Sequence, residues 1–147
     1  MKYLLIITGN KILISALIGW LIAQIIKVGI GLIKEKRFNW HRLFGAGGMP
    51  SSHSSSVVAM TVKTARIEGL DSSLFAVAAA LSIIVMYDAA GVRRAAGEQA
   101  KILNYMIEHW HEYTPEMRQK ELKELIGHTP IEVLVGAILG LIIGFLL

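Results

Sequence analysis

The chain has 147 residues, 54% of them hydrophobic and 18% charged, with a mean hydropathy of +0.54. That balance is too apolar for an ordinary soluble domain, and the length suits one domain. The absence of cysteine excludes disulfides, thiol catalysis and thiolate metal sites, and a formal net charge of +4 is too small and dispersed to suggest nucleic acid.

The apolar residues are clustered. Residues 12–26, 72–87 and 133–147 carry no formal charge, and 54–62 forms a shorter apolar stretch. Each run falls short of the roughly 20 residues that cross a bilayer core, and flanking small or polar residues lengthen them. A soluble all-helical protein with buried helices is one reading of such runs. The stronger reading is all-α: an integral membrane helical bundle of about four short membrane helices plus one or two amphipathic or surface helices. Residues 1–147 are expected to form a single membrane-embedded helical domain. A cleaved signal peptide fits poorly, because the first apolar stretch runs on into Gln24 and Lys27 without a small-residue cleavage site.

Taken in order, residues 1–8 are short and apolar, and Gly9-Asn10 interrupts them. Asn10 suits the N-cap of a helix running from about 11 to 34. Trp20, Gln24 and Lys27 recur at helical spacing on one stripe of it. Lys27 must either snorkel or face a polar interior, and its pairing with Gln24 favours the interior. Residues 34–42 form a basic connector with aromatics, in keeping with the headgroup layer.

Gly45 to Ser55 follows, a stretch with little that would pack into lipid. Its glycines, Gly48 among them, let the backbone turn sharply and approach a ligand closely. Pro50 suits the start of a helix, and Ser51 or Ser52 can cap it. Such a start presents N–H groups at the positive end of a dipole, an anion site with His53 in its first turn. The plainer reading is a Gly/Ser-rich turn that happens to carry a histidine.

A helix over about 54–67 is rich in Ser, Ala and Thr, which permits close packing. Residues 68–73 turn the chain, with Asp71 or Ser72 capping a helix that runs to about Ala90. Charge returns abruptly at Asp88, Arg93 and Arg94. A further helix to about Tyr113 carries Arg94, Glu98, Lys101, Asn104, Tyr105 and Glu108 as a polar face. Residues 114–126 read as a solvated, mixed-charge surface helix, and His109 and His111 beside Trp110 as interfacial. The last helix opens with Thr129-Pro130-Ile131-Glu132, the pattern of a capping box. In that role Glu132 serves the backbone, and it can also orient His128 only if its two oxygens divide the work.

Counting spans gathers the polar motifs. If the first helix crosses one way, then His53, Asp88, Arg93, Arg94 and His128 all end at one membrane face. That face carries ten Lys/Arg, at 34, 36, 37, 42, 93, 94, 101, 118, 120 and 123, and the other carries four, at 2, 11, 63 and 66. The positive-inside rule makes the motif face cytoplasmic, in the cell membrane.

Two histidines, adjacent arginines and two helix N-termini at one face describe a phosphoryl-transfer site that needs no metal or other cofactor. Arginine binds phosphate oxygens as a fork, and helix N-termini add N–H donors. One histidine can attack phosphorus while the other protonates the leaving oxygen. Asp88 either pairs with Arg93 or Arg94 or helps organise the site. His53, Asp88, His128 and Glu132 have metal-binding chemistry, but their order and spacing match no metal motif.

Pro50-Ser-Ser-His53 is similar to the Pro-Ser-Gly-His signature of the type 2 phosphatidic acid phosphatase and vanadium haloperoxidase superfamily. With Tyr87-Asp-Ala-Ala-Gly-Val-Arg-Arg94 and Gly127-His-Thr-Pro-Ile-Glu132, the chain resembles its small divergent membrane branch over residues 24 to about 140. The resemblance implies His128 as nucleophile with Glu132 as its orienting carboxylate, and His53 as general acid. Ser51 and Ser52 would hold phosphate, and Lys27 or a residue of 34–42 would stand for the first-motif basic residues. Two departures stand out: Lys27 is followed seven positions later by Lys34 and then Glu35, and Leu122 takes the place of the third-motif arginine.

The expectation is therefore a membrane phosphatase acting on a lipid or isoprenoid phosphate or pyrophosphate at the interface. The missing basic residues favour a second reading, a non-catalytic protein that binds or translocates phosphorylated lipids. A purely structural membrane subunit is the third. So thin a bundle also leaves a homodimer open.

Overall fold

The computed structural model describes residues 9–36, 48–109 and 127–147, with backbone alone at 34, 35, 93, 94 and 109. Residues 37–42 of the expected basic connector and the mixed-charge helix at 114–126 lie outside these residues, as do the side chains of Arg93, Arg94, His109 and His111.

Five helices are present among the described residues: α1 Lys11–Glu35, α2 Ser52–Glu68, α3 Ser73–Ala90, α4 Val92–His109 and α5 Pro130–Leu146. Their ends follow from local chemistry. The Asn10 side chain accepts the N–H groups of Ile12 and Leu13, at 3.1 and 3.0 Å, and starts α1. Ser51 caps α2 and Ser72 caps α3 by accepting from Ser54 and Phe75. Of the two candidates for the third cap, Ser72 rather than Asp71 takes the role. Lys36, in the left-handed region at φ 52°, closes α1, and its N–H bonds the Leu32 carbonyl.

α2 is the central helix and packs against α1, α3 and α5. Hydrogen bonds set the directions. The Ser15 hydroxyl donates to the Ala59 carbonyl and the Ser55 hydroxyl to the Gly19 carbonyl, so α1 and α2 are antiparallel. Thr61 donates to the Ala78 carbonyl and Ser82 to that of Val57, so α3 is antiparallel to α2 as well. Interhelical bonds of this kind contribute about 0.6 kcal/mol each in a membrane.

α5 runs parallel to α2, seated through three glycines one turn apart. A methyl at Gly136 would overlap the Ser51 carbonyl oxygen, one at Gly140 that of Ser55, and one at Gly144 the Val62 side chain. With no side chain between them, the two backbones approach closely, the small-residue packing favoured where lipid supplies no hydrophobic drive between helices.

The distribution of polarity is inverted relative to a soluble protein. Buried positions are Ala16, Ala23 and Ala59 with Ser15, Ser54, Ser55 and Thr64, whereas Leu13, Leu17, Leu21 and Ile25 form an exposed apolar stripe on α1. Leu74, Val77, Leu81 and Ile84 do the same on α3, and Leu134, Ile138 and Leu141 on α5. Water would not tolerate those stripes; lipid does. α1 supplies a 23-residue apolar stretch, Lys11–Ile33, and Ser73–Glu108 another apolar candidate span. α5, at 17 residues, is the shorter apolar helix. It reaches about 25 Å at 1.5 Å per residue, close to a bilayer core.

α4 differs from the sequence expectation in one respect. Asn104 turns inward with Gly97 and Ala100, leaving Glu98, Lys101, Tyr105 and Glu108 exposed. Glu98 and Lys101 pair at 3.6 Å on that outer face.

A candidate anion site at two helix N-termini

Because α2 and α5 are parallel and both α1 and α3 oppose them, one end of the bundle holds two helix N-termini and two helix C-termini. The Ser51 N–H donates to the Glu132 carbonyl at 3.0 Å, tying the start of α2 to the first turn of α5. The His128 N–H donates to the Ala89 carbonyl at 3.0 Å, tying the approach to α5 onto the end of α3. Those two bonds place His128 beside the first turn of α2.

His53 and His128 meet edge to face, with ring centroids 5.8 Å apart and planes at 65°. His128 is 1% exposed, and its Nδ1 lies 3.2 Å from Glu132 Oε2. A carboxylate in that position accepts from Nδ1–H and fixes the tautomer that leaves the lone pair on Nε2. The same Oε2 accepts the Thr129 N–H at 3.1 Å, while Thr129 Oγ1 accepts the Glu132 N–H at 3.3 Å. The capping box is therefore complete, and Glu132 orients the ring as well. The expectation that this needs two separate oxygens is corrected: one oxygen, with more than one lone pair, takes both donors.

Lys27 is 3% exposed and does not snorkel. Its aliphatic stem lies along Gly48, whose added Cβ would sit 3.5 Å from Lys27 Cγ and whose φ is +83°. Gly48 thus holds a backbone shape that other residues adopt at a cost, while forming a wall beside the lysine. Among the described residues, the Lys27 Nζ is buried with no hydrogen-bond partner, and the Glu132 carboxylate is within electrostatic range. Gln24 is buried at 4% one turn earlier, while Trp20 stays 39% exposed, so the stripe read from spacing turns inward only at its later positions.

Ser51 and Ser52 are buried at the start of α2. The Ser51 hydroxyl accepts the Ser54 N–H at 3.3 Å and the Ser54 hydroxyl at 3.1 Å, so its oxygen acts as a cap. Pro50, buried, follows Met49 through a cis bond. Asp88 is half-buried in the last turn of α3, and Arg93 and Arg94 sit in the first turn of α4. The structure thus brings together Lys27, Gly48, Pro50, Ser51, Ser52, His53, His128 and Glu132. The glycines at 136, 140 and 144, which set α5 against α2, were not singled out from the sequence, although their four-residue spacing is a readable signal.

An inverted bundle of this kind, with apolar stripes outside and small polar residues within, defines an all-helical membrane protein. Residues 8–143 match the model of the Divergent PAP2 family, and the chain belongs to that family. It is 43% identical over 148 aligned residues to the uncharacterized membrane protein YuiD of Bacillus subtilis (strain 168), covering 94% of each chain. No solved structure matches it.

Proposed function

We propose that the protein is a membrane phosphatase that hydrolyses a lipid or isoprenoid phosphate or pyrophosphate through a phosphohistidine. The observation that carries this reading is the pair of histidine rings, 5.8 Å apart, beside the buried Lys27 ammonium at the paired N-termini of α2 and α5. Family membership supports it, since the Divergent PAP2 family takes its description from phosphatidic acid phosphatases.

In this reading the phosphate oxygens bind Lys27 and the first-turn N–H groups of α2, where the helix dipole favours negative charge. His128 Nε2 attacks phosphorus, forming the N–P bond as the P–O bond to the leaving group breaks. His53 donates its proton to the leaving oxygen. Glu132 stabilises the imidazolium that forms, by accepting from Nδ1–H. Water then attacks the phosphohistidine, giving up a proton to His53, and inorganic phosphate leaves. Arg93 and Arg94 of α4 serve in this reading as further phosphate ligands with Asp88 as their partner, and the Lys/Arg asymmetry favours the cytoplasm for this end.

The departures at Glu35 and Leu122 favour a second reading, binding or translocation of a phosphorylated lipid without turnover. Phosphate release by the purified protein from a panel of lipid and isoprenoid phosphates separates the two. Turnover lost in both His128→Ala and His53→Ala supports the enzyme. Lipid phosphate bound by the wild type without release supports the binder, and turnover that survives both substitutions rejects both roles.

A further inference from the structure

The other end of α2 carries a feature that the histidine site does not use. Ser15 faces Ala59 and Ser55 faces Gly19, each four residues from the next pairing along the antiparallel helices α1 and α2. One further step in that register sets Lys11 opposite Lys63. Arg66 follows one turn on, its Nη1 donating to the carbonyls of Phe145 and Gly144 at the end of α5. Three cations therefore converge where α1 begins and α2 and α5 end, about 18 Å along α2 from Ser51.

Lys63 is 6% exposed overall, its long stem packed against the bundle and its ammonium carried out toward Lys11 and Arg66. Among the described residues no carboxylate pairs with Lys11, Lys63 or Arg66, and residues 1–8 contain no Asp or Glu. Glu68, at the end of α2, and Asp71, in the turn after it, are exposed. Like charges held together beside an apolar surface repel one another unless an anion lies between them. The C-terminal carbonyls of α5 engage Arg66, but among the described residues the two lysines have no such counterpart.

We propose that Lys11, Lys63 and Arg66 form a second anion site, which holds the phosphate group of a lipid headgroup at the membrane face opposite the histidines. A headgroup there meets two ammonium groups and a guanidinium, while its acyl chains lie along the exposed apolar stripe of α1. Lys11 opens the site to the headgroup layer, and the buried stem of Lys63 brings a second ammonium up beside it. The juxtaposition owes nothing to the histidine chemistry, and it accounts for three of the four cations counted at that face.

The test is a titration of the purified full chain with dioctanoyl phosphatidate, read by native mass spectrometry in a Lys27→Met background that weakens the first anion site and leaves dependence on Lys63 and Lys11 as the mark of the second. The expected result is a bound phosphatidate whose affinity is about five-fold weaker in Lys63→Gln and again in Lys11→Gln, and restored in Lys63→Arg. Lys11 is exposed in the first turn of α1, so its substitution leaves the core packing in place. Inorganic phosphate in the same titration separates the sources. Phosphatidate that resists excess phosphate assigns the site to lipid, and phosphate bound alone with the same Lys63 dependence assigns it to the free anion. Binding unchanged by both Lys63→Gln and Lys11→Gln, or no binding at all, overturns the proposal.

Discussion

Glu132 Oε2 lies 3.2 Å from His128 Nδ1 and 3.1 Å from the Thr129 backbone nitrogen, so a single carboxylate oxygen caps α5 and orients a histidine. The two duties separate by substitution. In Glu132→Gln the amide oxygen still accepts from Thr129, as glutamine does in capping boxes, and helix stability holds. What is lost is the charge beside the imidazole. A charge-assisted hydrogen bond contributes roughly 1.5–3 kcal/mol, so turnover should fall about ten-fold to a hundred-fold while the melting temperature stays put. Glu132→Ala should lose both, with about 1 kcal/mol of stability gone. Equal loss of stability in the two variants would show that the carboxylate serves packing alone.

Lys27 gives the opposite sign. A cation that is 3% exposed with no hydrogen-bond partner among the described residues is a cost to the fold. Lys27→Met keeps the stem against Gly48 and removes the charge. Thermal unfolding in detergent should show a gain of about 1 kcal/mol or more. Phosphate affinity, read by isothermal titration, should drop at the same time. Stability that falls in Lys27→Met would mean that the ammonium is held by a partner and is no anion ligand.

Gly140 is the middle of the three glycines that seat α5 on α2, and a methyl there would overlap the Ser55 carbonyl oxygen. Gly140→Ala should cost about 1–3 kcal/mol, because backbone rather than a flexible side chain must yield. The strain also moves the start of α5, and with it His128, so activity should fall further than stability. Gly29, with nothing within 4 Å of its added Cβ, is the control, and Gly29→Ala should be silent. Equal effects at the two positions would sink the packing argument.

Much of this arrangement was legible before any coordinates. The parity of apolar runs already placed His53 and His128 at one end, and the caps at Asn10, Ser51 and Thr129 followed from local hydrogen-bonding chemistry. The inward turn of Lys27 was favoured by Gln24, but its burial beneath Gly48 was not visible, because it depends on a chain reversal twenty residues away. The bond from His128 N–H to Ala89 was likewise beyond local pattern, being a contact between segments thirty-nine residues apart. Asn104 was grouped with Glu98, Lys101 and Tyr105 on one polar face because periodicity ranks residues by polarity and cannot say which of them has a neighbour. The spacing Gly136, Gly140, Gly144 stood in plain view, and it sets α5 against α2.

The proposed cytoplasmic placement of the histidine end rests on the charge asymmetry. Ala96 is exposed near the start of α4, at the histidine end of the bundle. In this cysteine-free chain, Ala96→Cys should react with a membrane-impermeant maleimide only after the cells are opened. Labelling in intact cells would place the site on the outer face, against the Lys/Arg count.

The most direct measurement is an acid-sparing quench of the wild-type protein during reaction with a phosphatidate, followed by mass spectrometry of the peptide that carries His128. We expect an increment of one phosphoryl group on His128, absent in His128→Ala and accumulating in His53→Ala with an activated phosphate ester, whose leaving group needs no proton. Turnover without any phosphoryl group on His128 would contradict it.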